Sequence, residues 1–108
     1  MSFRIEYTES AGYDLRQIYL YIAEQLQAPE TARQQVRRIM AAVRSLEDLP
    51  LRYRIYDEEP WRSRGLRVLP VDRYLVLYLP SEEDAAVRIV RIVYGKRDIS
   101  RQLDQTSF

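Results

Sequence analysis

The 108 residues contain no cysteine and no histidine. The first absence excludes disulfides, thiol nucleophiles and thiolate metal sites. The second excludes a Ser-His-Asp triad, a Cys-His pair, histidine-ligated zinc and an imidazole general base. Acid–base work is left to Tyr, Lys, Arg and the carboxylates, and neither a metal nor a cofactor is expected. No run approaches the roughly 20 apolar residues of a membrane span. The amino-terminal "MSFRIEYTES" lacks the basic, apolar, small-residue order of a secretory signal, so a soluble, cytoplasmic protein is expected. Repeats, low-complexity tracts and flexible linkers are missing as well. With 46% hydrophobic and 31% charged residues, the chain suits one domain over 1–108 with a real but modest core.

Lysine is nearly absent: sixteen of the seventeen cations are Arg. The rigid, permanently charged guanidinium fork suits phosphate, carboxylate or stacked aromatic partners better than an ammonium does. Residues 1–50 hold six Arg against seven acids; residues 51–108 hold ten Arg and one Lys against nine.

The first half of the chain has a helical period and the second half a strand period. "SFRIEYT" alternates as a short strand over 2–7 would. Thr8 or Ser10 can cap a helix in which Ala11, Leu15, Ile18, Ile22 and Leu26 recur at helical spacing, to about residue 27. "QAPET" breaks the chain, with Pro29 suited to the first turn of a second helix that runs to about 47 and buries Ala32, Val36, Ile39, Met40, Val43 and Leu46. So short a connection predicts an antiparallel helical hairpin. After a polar, aromatic loop come three β-rich runs, 66–71, 74–80 and 87–94. Tight and charged connections should pair them as antiparallel hairpins. The expected fold is α+β, in the order β-α-α-β-β-β, with the hairpin packed on one face of a small, mainly antiparallel sheet.

On this reading the last, nearly continuous apolar strand lies centrally, and the sheet face away from the hairpin is open to partners. Leu75, Leu77 and Leu79 form the natural core face of their strand, leaving Tyr74 and Tyr78 on the open side, where they can stack on bases or bind a peptide. Arg88 and Arg91 fall on opposite strand faces by the period of two. Arg91 then needs a carboxylate, with Asp14 of the first helix the favoured partner. Trp61 anchors its loop or offers a platform. Arg62, Arg64 and Arg67 cluster where the chain enters the sheet, suited to phosphate or to an acidic protein surface. Tyr13 is exposed, opposite the first helix's apolar stripe.

The order of elements and four phrases in sequence carry a resemblance: "DLRQIYLYI" in the first helix, then "SLEDLP", "GLRVLPVDRYLVLY" and "VRIVRIVYGKRDI". Together, over about residues 3–99, they resemble the RelE/ParE superfamily of type II toxin–antitoxin toxins, closer to the ParE side. The resemblance implies a growth-inhibiting toxin, of the kind associated with plasmid stabilisation, held by a cognate antitoxin and meeting operator DNA only through it. ParE-like members inhibit DNA gyrase. The alternative is a RelE-like ribosome-dependent, metal-independent mRNA endoribonuclease, so enzyme status stays open. Such enzymes use two strand lysines, a strand arginine, an arginine after the last strand and a tail tyrosine. Here the matching positions are Leu66, Val68 and Leu75, only Arg97 fits, and the tail offers no tyrosine. In a ribonuclease Arg97 would stabilise the transition-state charge, with Arg67, Arg73 or Tyr94 filling out the site. Target or antitoxin binding would draw on Tyr13, Trp61, Arg62, Arg64, Tyr74, Tyr78, Lys96 and Arg97.

Overall fold

The computed structural model describes residues 2–95 and 99–106. Strand β1 (Arg4–Tyr7) runs straight into helix α1 (Glu9–Leu20) through Thr8. The Thr8 hydroxyl accepts from the Ala11 N–H (3.1 Å) and donates to the Val90 carbonyl (2.9 Å). One side chain therefore caps the helix and fixes its entry to a strand far away in sequence.

The continuous helix expected to about residue 27 is interrupted. The chain passes from α1 into a π-helical turn, Tyr21–Gln25. A wider turn rotates the following positions by up to roughly 100°. Ile22 remains buried, but Leu26, expected on the apolar stripe, is 56% exposed. Helix α2 (Pro29–Arg44) starts with its proline in the first turn and ends in a 3₁₀ turn, Ser45–Glu47. Ala32, Ile39, Val43 and Leu46 are buried as expected, whereas Met40 is 41% exposed. Met40 lies one position past Ile39, outside the narrow stripe that meets the sheet.

Beyond a second 3₁₀ turn (Pro50–Arg52), a short helix α3 (Trp61–Arg64) precedes strands β2 (Arg67–Val71), β3 (Tyr74–Ser81) and β4 (Ala86–Tyr94). Helix α4 (Ile99–Asp104) closes the described chain. The sheet order is β1-β4-β3-β2, so β4 is central, parallel to β1 and antiparallel to β3. β2 pairs antiparallel with β3. The architecture is α+β, with α3 and α4 added to the expected order. No helix among the described residues is long and apolar enough to cross a membrane.

Both faces of the sheet are covered, which corrects the expectation of an open side. Against the hairpin, Val76, Tyr78, Val87, Ile89 and Ile92 pack with Ala11, Ile39, Val43 and Leu46. On the other face Leu77, Val90 and Val93 pack with Tyr56, Trp61, Leu66 and Leu103. The faces of β3 are therefore the reverse of the reading from hydropathy. Tyr78 is fully buried under the hairpin, with Tyr74 packed at the edge of the same cluster. The three leucines face α3 and α4. The Tyr78 phenol reaches past the apolar layer and donates to the Pro50 carbonyl at 2.6 Å, so a polar tip is satisfied inside the core.

A register shift between Leu77 and Tyr78 places one extra residue in β4. Ile89 and Ile92, three apart, both reach the hairpin side, and Val90 and Val93 both reach the other. This β-bulge brings Arg91 onto the same face as Arg88 and overturns their expected separation.

Candidate functional site

The residues singled out from sequence divide among three places. The first is the end of the sheet where β3 begins and β4 ends. Tyr74 and Tyr94 are register partners, with ring centroids 5.8 Å apart in an edge-to-face arrangement. Burial raises the pKa of the Tyr74 phenol, and the nearby Tyr94 and Tyr21 push it the same way. Arg73 is exposed at the β2–β3 turn. Its carbonyl accepts from the Gly95 N–H at 2.9 Å, and a Cβ on Gly95 would sit 3.3 Å from that oxygen. Glycine therefore lets the chain leave β4 at close quarters. Preceding Asp72 is held by Gln35 (2.9 Å) and by Arg38, both from α2. Lys96 and Arg97, the cations expected to lead this site, lie outside the described residues.

The second place is the entry to the sheet. Arg67 is half-buried, and its Nη1 donates to the carbonyls of Leu51 (3.0 Å) and Tyr53 (2.6 Å). Those bonds strap the loop that ends at Ile55, whose backbone bridges to Arg67. Trp61 is buried in the second core cluster, in line with an anchoring role. Arg64 lies over its ring, 5.0 Å from the centroid. Arg62 is exposed and 3.8 Å from Asp57. Arg67 pairs with Tyr78 and Val71 with Tyr74, and Tyr74 pairs with Tyr94, so Arg67 stands four register positions, roughly 13 Å along the strands, from Tyr94, with Arg73 in the turn just beyond.

The third place is α1. Tyr13 is 62% exposed. Tyr21 is also exposed and stands at the start of the π-helical turn. Sequence reading passed over Tyr21, although Tyr13, Gln17 and Tyr21 recur four apart, a spacing that keeps side chains on one helix flank.

Arg91 found its expected partner. Its Nε and Nη2 donate to the two Asp14 oxygens at 2.7 and 2.8 Å, and Asp14 also accepts from the Ile92 N–H at 2.9 Å. The carboxylate thus serves as a strand partner where β1 has already ended. Hydrogen bonding to Asp14 holds the Arg91 pKa above its ordinary value. The remaining donors reach the Gln102 carbonyl (3.1 Å), Gln102 Oε1 (3.1 Å) and Thr106 Oγ1 (2.9 Å), joining α1, β4 and α4 at one guanidinium. This group is a structural hub with no spare donor for substrate.

Comparison with solved structures places the fold among toxin–antitoxin proteins. The chain is similar to a chain of the chromosomal ParDE system of P. aeruginosa, at TM-score 0.73 and 21% identity, covering 88% of this chain and 98% of the other. It resembles a chain of the RelBE2 toxin–antitoxin complex of Mycobacterium tuberculosis at TM-score 0.63 and 19% identity, over 87% and 92%. The isolated E. coli RelE toxin matches at 0.54 and 14%, over 96% and 98%. Comparison with curated protein sequences finds no significant match. The family model described as the ParE toxin of the type II toxin–antitoxin system, parDE, matches residues 5–99. With that model spanning nearly the whole chain, from β1 to the start of α4, this protein belongs to the ParE toxin family of type II toxin–antitoxin systems.

Proposed function

We propose that this ParE-family toxin inhibits growth by binding DNA gyrase, without breaking RNA, and that a cognate antitoxin normally holds it. The observation that carries the reading is the dispersal of the ribonuclease candidates. Arg67 is engaged with two loop carbonyls, while Arg73 and Tyr94 stand at the far end of the strands. Cleavage by an RNA 2′-hydroxyl needs a base, cations on the phosphorane and an acid gathered around one phosphate. Three of the tyrosines are poor substitute bases: burial raises Tyr7 and Tyr74, and pushes Tyr78 up to about 12, away from the neutral range.

A contact mechanism asks less of the residues. Exposed Tyr13 on α1 and Tyr21 at the start of the π-helical turn, with Arg73 at the adjoining sheet end, are the residue types that anchor protein interfaces. Trp61 and Tyr78 contribute by packing, not by contact with the target. Purified toxin tested for inhibition of gyrase supercoiling, and for mRNA cleavage in a ribosome-containing translation mix, decides the matter. Inhibited supercoiling with intact mRNA is expected; cleaved mRNA with unimpaired supercoiling refutes the reading in favour of RelE-like activity.

A further inference from the structure

A cleft of about 290 Å³ opens on the sheet face away from the hairpin, at the end opposite Tyr74 and Tyr94. Its walls are built by register. Arg4 lies opposite Ala86, which pairs with Ser81; Glu6 lies opposite Arg88, which pairs with Leu79. The small Ala86 and Ser81 form the floor, and Arg64 reaches the cleft from α3. Three guanidiniums therefore line one depression. Arg4 is neutralised by Glu6 at 2.8 Å. Asp84, the other acid in the lining, takes the Ser81 hydroxyl at 3.2 Å. Neither Arg64 nor Arg88 has an ion-pair partner among the described residues. Two uncompensated forks beside one depression form a receptor for an oxyanion.

We infer that Arg64 and Arg88, flanked by Arg4, receive a carboxylate side chain from the antitoxin segment that crosses this end of the sheet. The inference rests on the reading of the chain as an antitoxin-held toxin. Charge selects the source of the anion. Asp84 in the lining, with Glu82 and Glu83 on the adjoining turn, repels an extended polyphosphate backbone but leaves room for a single carboxylate. Hydrophobicity points the same way. Leu79 and Pro80 border the cleft, and around the β1 edge lies an apolar depression formed by Phe3, Leu49, Pro50 and Leu51. Leu49 there is 74% exposed. A peptide with apolar side chains next to an acid complements both, whereas a nucleic acid supplies an anion for the cleft but no apolar side chain for the depression.

The test uses full-length toxin and its full-length antitoxin, comparing wild type with Arg88→Ala, Arg88→Glu and Arg88→Lys. Arg88 is exposed, so unchanged thermal melting is expected to certify the fold of each variant. Loss of a charge-assisted contact predicts an affinity about tenfold or more weaker for Arg88→Ala. Arg88→Glu should fall further, Arg88→Lys should recover part, and the salt dependence of binding should shrink with each loss. In cells, Arg88→Glu should inhibit growth yet escape neutralisation. Affinities indistinguishable from wild type overturn the inference. So does a loss of binding to duplex DNA or RNA oligonucleotides with antitoxin affinity intact, which assigns the cleft to nucleic acid. A wild-type toxin that binds no antitoxin defeats the broader reading instead, and this assignment with it.

Discussion

Removing the Asp14 carboxylate is the most informative perturbation of this fold. Arg91 and Asp14 expose only 14% and 10% of their side chains, so the pair is largely out of water. In Asp14→Ala, Arg91 keeps its charge and loses two charge-assisted bonds, and the Ile92 N–H loses its acceptor. Leaving one member of a buried ion pair uncompensated costs about 3–5 kcal/mol. Against a total stability on the order of 5–15 kcal/mol, that is a third or more of what holds the domain folded. Urea unfolding followed by circular dichroism measures it, as a fall in midpoint at constant slope. Replacing both residues, Asp14→Leu with Arg91→Met, removes the orphaned charge and should recover most of the loss. The single variant should also loosen α4, because the displaced guanidinium no longer holds Gln102 and Thr106. Hydrogen exchange at 99–106 should then rise before global unfolding. A cost below about 1 kcal/mol, the range of a surface pair, refutes the argument.

Other substitutions test separate parts of the fold. Gly12 lies in α1 with nothing within 4 Å of an added Cβ, so Gly12→Ala should stabilise the free toxin by about 0.5–1 kcal/mol in urea. Tyr78 titrates at about 12 in the folded chain against about 10 unfolded. Its contribution is complete below pH 10 and is lost as pH rises through about 12, roughly 3 kcal/mol in all. Tyr78→Phe should flatten that alkaline loss in pH-dependent unfolding, while itself costing about 1–2 kcal/mol through the orphaned Pro50 carbonyl. Arg67→Ala should lower the melting temperature by freeing the loop carbonyls of Leu51 and Tyr53 without altering growth inhibition per folded molecule; lost inhibition at an unchanged melting temperature would return Arg67 to the target site. Leu103→Ala should cost about 2–5 kcal/mol by opening a cavity under α4.

How far such effects were foreseeable depends on the kind of signal each residue carries. The Asp14–Arg91 pair was legible, because an arginine within an apolar strand demands a carboxylate and the first helix lies across the sheet. The face of β3 was not. Leu75-Leu77-Leu79 and Tyr74-Val76-Tyr78 are both apolar enough to be buried, and a period of two separates the faces without saying what covers them. The Arg4–Arg64–Arg88 cleft left no local trace, since its three members come from β1, α3 and β4.

The sequence by itself determined the order of the two long helices and four strands, the helical hairpin, the central place of β4 and the toxin family, because each follows from periodicity and phrases that persist along the chain. Only the tertiary structure decided which tyrosines are core and which cations are engaged. It also decided where α1 slips by a π-turn and where β4 gains a bulged residue. These depend on contacts between distant segments. Whether α3 and α4 cover the second face, and whether Arg67 finds loop carbonyls or open solvent, is set by packing in three dimensions and by no spacing along the chain.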